Sequence, residues 1–333
     1  MPTMSYRDAI AEVLRDEMRR NDRVFLLGED IGAYGGSYVV TKGFLDEFGG
    51  GRVRDTPIAE SGIVGAAIGA AMGGMKPVVE MMTINFSLLA IDQIVNHAAK
   101  LLYMSGGQVT VPCVIRMVTG GGSQLAAQHS QNLEAWYARV PGLLVATPSN
   151  PADAAGLMRQ ALAERNPVIF IEHSLLYRTT GEVPDGEFSI VPGTARIARP
   201  GRDATVVGYL RTVPLALEAA ERLAAEGIEV EVVDLRTLRP LDMDTICESV
   251  ARTNRVVVAE DAWRTGGFSS EICQLVSENA WDDLDAPPAR VNGADVPAPY
   301  ARNLEAMAFP TANDIIEAVR ATLPGSRRDY HAR

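Results

Sequence analysis

Val24-Phe25-Leu26-Leu27-Gly28-Glu29-Asp30 is a short, unbroken apolar run that ends in a glycine and two acids. A strand covered on both faces reads this way, because no alternate position has to meet water. Such strands belong to parallel sheets, and ligand sites in open α/β sheets lie beyond their carboxyl ends, where Glu29 and Asp30 fall. Working outward, the chain alternates. Ser5 followed by Asp8 reads as a helix start, and Ala9, Ile10, Val13, Leu14 and Met18 recur at helical spacing up to the basic pair Arg19-Arg20. A helical stretch is expected at 43–48, and strands at 78–82, 111–118, 143–146 and 168–171. Between them, one long helical pattern opens at Asn85-Phe86-Ser87 and runs through Leu102, and Asn150-Pro151 starts another helix, Asn as cap and Pro at its first position.

From His173 to Pro200 the periodicity gives way to turn formers, among them Gly181, Pro184, Gly186, Pro192 and Gly193. A second alternation follows, with strands at 205–209, 228–234 and 256–260 and helices at 213–225, 243–251, 268–278 and 313–321. The expected organisation is therefore α/β throughout: a first domain over 1–180, a linker over 181–203 and a second domain over 204–333. The second half has no glycine-rich turn with a basic anchor and no histidine before the tail, so it reads as a docking or assembly domain.

With 333 residues the chain exceeds what one small core serves. Its formal net charge of −11, with no basic cluster beyond Arg327-Arg328, argues against a nucleic-acid surface. No apolar run reaches the roughly 18 residues of a spanning helix, and the first ten residues lack a basic-then-apolar signal pattern, so a cytoplasmic location is expected. Cys113, Cys247 and Cys273 are far apart and share no C-x-x-C spacing, which points to neither a disulfide framework nor a zinc site. His97, His129, His173 and His331 form no ligand pair at helical spacing.

Three stretches carry candidate chemistry. In Asp55-Thr56-Pro57-Ile58-Ala59-Glu60 a carboxylate stands between a turn and a run of small apolar residues. Glu60 there is expected to be partly desolvated with a raised pKa, a proton handler; the alternative is a first-turn charge that complements the helix dipole. Behind it Gly65, Gly69 and Gly73 share one helical face, which admits a close backbone. Phe86, at a strand-to-helix junction, either stacks on a flat ligand or fills the core. The loop Thr119 to Gln131 holds a glycine triplet and His129, either a general acid or base or a hydrogen-bonded surface residue.

Several segments together resemble one family: the β subunit of the thiamine-diphosphate-dependent decarboxylase component of 2-oxo acid dehydrogenase complexes. They are Gly28-Glu29-Asp30, Asp55 to Glu60, Asn85-Phe86-Ser87, Ala90-Ile91-Asp92-Gln93, Met104-Ser105-Gly106-Gly107, Gln128-His129-Ser130-Gln131 and Arg236-Thr237-Leu238-Arg239-Pro240-Leu241-Asp242, in family order. The resemblance implies a thiamine-diphosphate-binding fold, in which a pyrimidine-binding domain with a mainly parallel sheet is followed by a transketolase C-terminal-like domain. It implies that Glu60 hydrogen-bonds the aminopyrimidine ring of thiamine diphosphate, that Phe86 stacks on that ring, and that Met82 lines its pocket. His129 would face the thiazolium side, orienting substrate or donating a proton during transfer to a lipoyl group. A potassium ion would be held by main-chain oxygens of Cys113, Ala161, Leu162, Glu164 and Asn166, with Glu164 where a shorter Asp often stands.

The family's Gly-Asp-Gly motif for diphosphate and Mg²⁺ is missing from the chain. The resemblance therefore implies an α subunit that grips the diphosphate and Mg²⁺, in an α2β2 tetramer active only when paired. It further implies a lipoyl domain and the core of a dihydrolipoyl acyltransferase as partners. Phe86, Gly106-Gly107-Gln108 and Gln124-Leu125 look closest to pyruvate-type or acetoin-type members; the branched-chain type tends to carry Tyr at the Phe86 position. A pyruvate dehydrogenase type is expected, with acetoin and branched-chain 2-oxo acids as alternatives. A reading from a different class, a non-catalytic nucleotide-binding or electron-transfer subunit, would need a G-x-G-x-x-G opening a helix, which the chain lacks.

Overall fold

The computed structural model describes residues 1–325, so Arg327, Arg328 and His331 lie outside the described residues. A short strand β1 (Thr3–Ser5) leads into α1 (Tyr6–Arg20), whose N-cap Ser5 accepts a hydrogen bond from the Asp8 amide. Then come β2 (Val24–Gly28), α2 (Phe44–Phe48), β3 (Val53–Asp55), α3 (Glu60–Met72) and β4 (Lys76–Met81). Beyond an irregular helical stretch lie α4 (Leu101–Met104), β5 (Val114–Thr119), α5 (Glu134–Ala138), β6 (Leu144–Ala146), α6 (Pro151–Ala163), β7 (Val168–His173) and β8 (Thr180–Glu182). Asn150 caps α6 through the Asp153 amide, with Pro151 in the first turn.

Strands β6, β7, β5, β4, β2 and β3 pair side by side in that order, all parallel, so their carboxyl ends form one edge. Alternate positions divide between two faces. Val78, Val114, Val168 and Phe170 pack with Ile10 and Leu14 of α1 and with Ala154 and Met158 of α6. On the other face Val79, Ile115 and Ile169 join Ile63, Val64 and Ala67 of α3, and the same cluster continues into the second half through Val207, Ile246 and Ile272. Each large side chain among them contributes about 1.5–3 kcal/mol when fully buried, enough to hold helices on both faces of the sheet.

The second half supplies β9 (Arg196–Arg199), β10 (Ala204–Gly208), α7 (Thr212–Ala224), β11 (Val230–Asp234), β12 (Thr237–Arg239), α8 (Met243–Thr253), β13 (Val256–Trp263), α9 (Phe268–Asn279), β14 (Ala289–Gly293), α10 (Arg302–Ala308) and α11 (Ala312–Thr322). Its sheet runs β14-β13-β10-β11-β9, parallel except for β9. Strand β12 leaves this sheet and closes the first one, antiparallel to β6 with Thr237 opposite Ala146.

The structure departs from the sequence expectations at definite places. The helix expected from Asn85 to Leu102 is broken into a 3₁₀ turn (Phe86–Ala90), a wider π-helical turn (Gln93–Ala98) and α4. One cause is Ser87, whose hydroxyl donates back to the Ile84 carbonyl at 2.5 Å and offers the backbone an alternative to the α ladder. The strand expected from Val111 starts only at Val114, because the chain turns at Pro112, with the Cys113 amide on the Val111 carbonyl at 2.8 Å. The stretch expected as a linker contains two strands: β8 pairs with β1 at the amino end of the chain, and β9 edges the second sheet. Strands β1, β3, β12 and β14 and helices α5 and α10 lie outside the sequence expectations. No helix among the described residues is long and apolar enough to cross a membrane.

Candidate active site

Four neighbouring strands, β5, β4, β2 and β3, bring the expected residues to the open edge of the first sheet. Glu29 follows β2, Glu60 opens α3 beyond β3, Met82 and Phe86 follow β4, and the His129 loop leaves β5 at Thr119. With strands about 4.8 Å apart, this row spans roughly 15 Å.

Glu60 is only 5% exposed, and its carboxyl group has no hydrogen-bond partner among the described residues. Ala59 before it offers no side-chain cap, so the acid also meets the positive end of α3. Glu29 is buried beside it, and burial together with the charges of Glu60 and Asp30 pushes the Glu29 carboxyl up.

Met82 and Phe86 are half-buried and His129 is exposed. The Phe86 and His129 rings meet edge to face, with centroids 5.2 Å apart and planes at 88°. Asn85, next to Phe86, fixes the far end of the His129 loop: its Oδ1 accepts from the Gln131 amide at 3.1 Å and from Gln131 Nε2 at 3.0 Å. The near end comes up against it through the Thr119 hydroxyl, whose oxygen lies 3.2 Å from the Gln131 carbonyl. Around this edge Tyr34, Ile58 and Leu89 are 71%, 81% and 66% exposed, large apolar surfaces of the kind a partner covers. A separate cleft of about 660 Å³, between Arg139, Arg239 and Glu271, includes none of these residues.

Cys113, Ala161, Leu162, Glu164 and Asn166 also come together, but at the amino ends of β5 and β7, the opposite edge of the sheet. Three of their carbonyls are already engaged. Cys113 accepts from the Val168 amide at 2.9 Å, Ala161 from the Glu164 amide at 3.3 Å, and Leu162 from the Lys76 ammonium at 2.8 Å. Each retains a second lone pair, so the oxygen set suits a hard monovalent cation only as a shared acceptor. Burial pushes the Cys113 thiol up to about 12, which removes it as a thiolate ligand. Among the described residues no three His, Cys, Asp or Glu side chains converge as a metal site.

Comparison with known proteins decides the family. Residues 2–180 match the transketolase pyrimidine binding domain, and residues 193–315 the transketolase C-terminal domain. The chain is 48% identical to the pyruvate dehydrogenase E1 component subunit beta of Rhizobium meliloti (strain 1021), over 96% of this chain and 70% of that one. It is 48% identical to the subunit of the same name in Rickettsia felis (95% and 97% covered) and 46% identical to the mitochondrial one of Caenorhabditis elegans (96% and 93%). The chain belongs to the pyruvate dehydrogenase E1 component β subunit family. Its fold is also that of a split-gene transketolase solved as an inactive β4 tetramer, with a TM-score of 0.78, 26% identity and coverage of 97% of this chain and 99% of that one.

Sequence reasoning missed two groups near the His129 loop. One is Glu305 of α10, whose carboxylate reaches the loop backbone; a lone acid in a short, unpatterned segment gives no local signal. The other is Glu134, at the start of α5, which accepts from the Thr119 hydroxyl at 2.5 Å and is 1% exposed. Burial pushes its carboxyl up to about 7. The native state therefore binds one more proton than the unfolded chain between about pH 4.5 and 7, so this contribution is fully present below 4.5 and lost as pH rises through 7. Between pH 5 and 8 the chain is expected to lose on the order of 2–3 kcal/mol that the Glu134→Gln variant does not lose. Urea titrations of both proteins at the two pH values check this; parallel losses would remove Glu134 as the cause.

Proposed function

We propose that this chain is the β half of a heterotetrameric pyruvate dehydrogenase, active only with an α subunit, which decarboxylates pyruvate and passes the acetyl group to the lipoyl group of an acyltransferase core. The observation that carries the reading is the row at the sheet edge: a buried, unpartnered Glu60, a half-exposed Phe86 and a His129 set against it. Thiamine diphosphate, when bound, supplies the electron sink that lets carbon dioxide leave a 2-oxo acid. The residues present fit its pyrimidine end. Glu60 offers a carboxyl group shielded from water that can hold or return a proton at a ring nitrogen, and Glu29, its carboxyl pushed up by burial, stands beside it. Phe86 offers a ring face for stacking, and Met82 a soft apolar wall. His129, exposed on its loop, orients the incoming oxo acid or donates a proton as the acyl group moves on.

The α subunit is proposed to bring the diphosphate and Mg²⁺ contacts, and the exposed Tyr34, Ile58 and Leu89 are surfaces it would cover. Potassium at the Cys113–Asn166 carbonyls, an edge away from the chemistry, would act on stability alone. One experiment tests these parts together. The chain is expressed alone and with an α subunit carrying Gly-Asp-Gly, and each is assayed with thiamine diphosphate and Mg²⁺ on pyruvate, branched-chain 2-oxo acids and acetoin, in potassium or sodium buffer. The expected result is activity only in the pair and greatest on pyruvate, with potassium changing the melting temperature but not the initial rate. Turnover by the single chain, or preference for another substrate, would overturn the corresponding part.

A further inference from the structure

The loop that carries His129 has a strained backbone. Gly120 and Gly122 adopt φ of +89° and +98°, and two residues with side chains, Gln124 and Ala126, sit at +56° and +63°. Left-handed φ at a non-glycine residue costs free energy and persists only where surrounding contacts hold it. Those contacts come from the far end of the chain. Glu305 on α10, 3% exposed, accepts a hydrogen bond from the Gly122 amide at 2.9 Å, and its two oxygens lie 3.0 and 3.1 Å from the Gln124 amide. Bonds from amides to a carboxylate are the stronger kind, and here the acceptor grips the strained residue itself. The Phe309 ring lies where a side chain at Gly121 would stand, and Leu175 does the same for Gly122. Behind the loop, His173 accepts the Leu175 amide on Nδ1, so its other nitrogen carries the proton, 3.1 Å from Asp261 of the second sheet.

One limb of the loop is thus clamped by the second half of the chain, while His129 lies on the exposed limb that follows. We propose that Glu305 is a positioning residue for His129: its carboxylate fixes Gly122 and Gln124 in the left-handed conformation that sets the His129 ring perpendicular to Phe86. The second half is then part of the catalytic apparatus and not only an assembly domain. The proposal rests on the reading of His129 given above.

The test uses the chain assembled with its α subunit, in four forms: unchanged, Glu305→Gln, His129→Ala, and both together. Glu305→Gln keeps shape but turns one acceptor oxygen into a donor that faces the backbone amides. Amide hydrogen exchange of peptide 120–131 is expected to quicken about tenfold or more, with peptides from α3 and β4 unchanged. Acyl transfer to a lipoyl domain is expected to fall about 10- to 100-fold in kcat, with KM for the oxo acid within about twofold. In the His129→Ala background, Glu305→Gln is expected to cost less than about twofold more, because residues acting through one another are not additive. Unchanged exchange, or a full multiplicative loss in the double variant, overturns the proposal. Undiminished transfer by His129→Ala alone overturns the role of His129 instead, a result that the exchange measurement keeps separate from the clamp. Should Glu305→Gln fail to fold, Glu305→Asp, which withdraws the carboxylate by one methylene, gives the same comparison.

Discussion

Glu60→Gln, in the chain paired with its α subunit, is expected to lower decarboxylation by about 10³-fold, the middle of the range that a positioned proton handler contributes. Glutamine keeps the volume, the buried position at the start of α3 and a hydrogen-bonding end, so packing is conserved while the exchangeable proton is lost. The removed charge also complemented the dipole of α3, which costs about 0.3–1 kcal/mol and leaves the fold intact. Glu60→Ala is expected to match the glutamine variant in rate, since what matters is proton transfer and not the hydrogen bond alone. Rates over a pH series, with melting curves on the same samples, check the prediction. Activity within a few-fold of the unchanged protein would leave Glu60 as no more than a helix-end charge. Glu29 sharpens the test: its carboxyl is pushed up by burial and then by Glu60, so removing the Glu60 charge should bring Glu29 down.

The alternation of elements was readable because parallel strands buried on both faces leave continuous apolar runs such as Val24 to Leu27, and because Ser5 and Asn150 mark helix starts by local chemistry. The edge where Glu60, Phe86 and His129 line up follows from that alternation, since parallel strands place their carboxyl ends together. Less was readable where the cause lies far away in sequence. Strands β1, β8 and β12 are three residues each, too short for a period of two to show, and exist because a partner strand is present. The breaks between Phe86 and Met104 keep helical spacing of apolar residues, so periodicity alone cannot see them. Glu305 meets Gly122 across 183 positions, and only the packing of the two halves brings the acid to the loop.

Arg116→Met is expected to destabilise the chain by about 3–5 kcal/mol, because it leaves two buried carboxylates without their cation. Arg116 lies in the middle of β5, 2% exposed, and donates through Nε and Nη2 to the two oxygens of Glu172 at 2.7 and 2.8 Å and through Nη1 to Glu80 at 2.6 Å. Tyr177 donates a further bond to Glu172 at 2.8 Å. Burial pushes the Glu80 carboxyl up even with Arg116 opposing it, so without the guanidinium one of the two acids must take a proton to fold. A pH signature follows. In the variant the folded-state pKa of Glu80 rises further, so the penalty is full at pH 8 and shrinks as pH falls toward the unfolded value. A melting temperature lower by about 10 °C at pH 8 is expected, with a smaller gap at pH 5. An equal gap at both values would mean that lost packing and not stranded charge is responsible. Replacing all three groups with apolar residues of similar volume removes charge and counter-charge together, and is expected to cost less than Arg116→Met alone. That ordering separates the two explanations, because packing defects add up with each replacement while an unpaired carboxylate disappears once its own side chain is replaced.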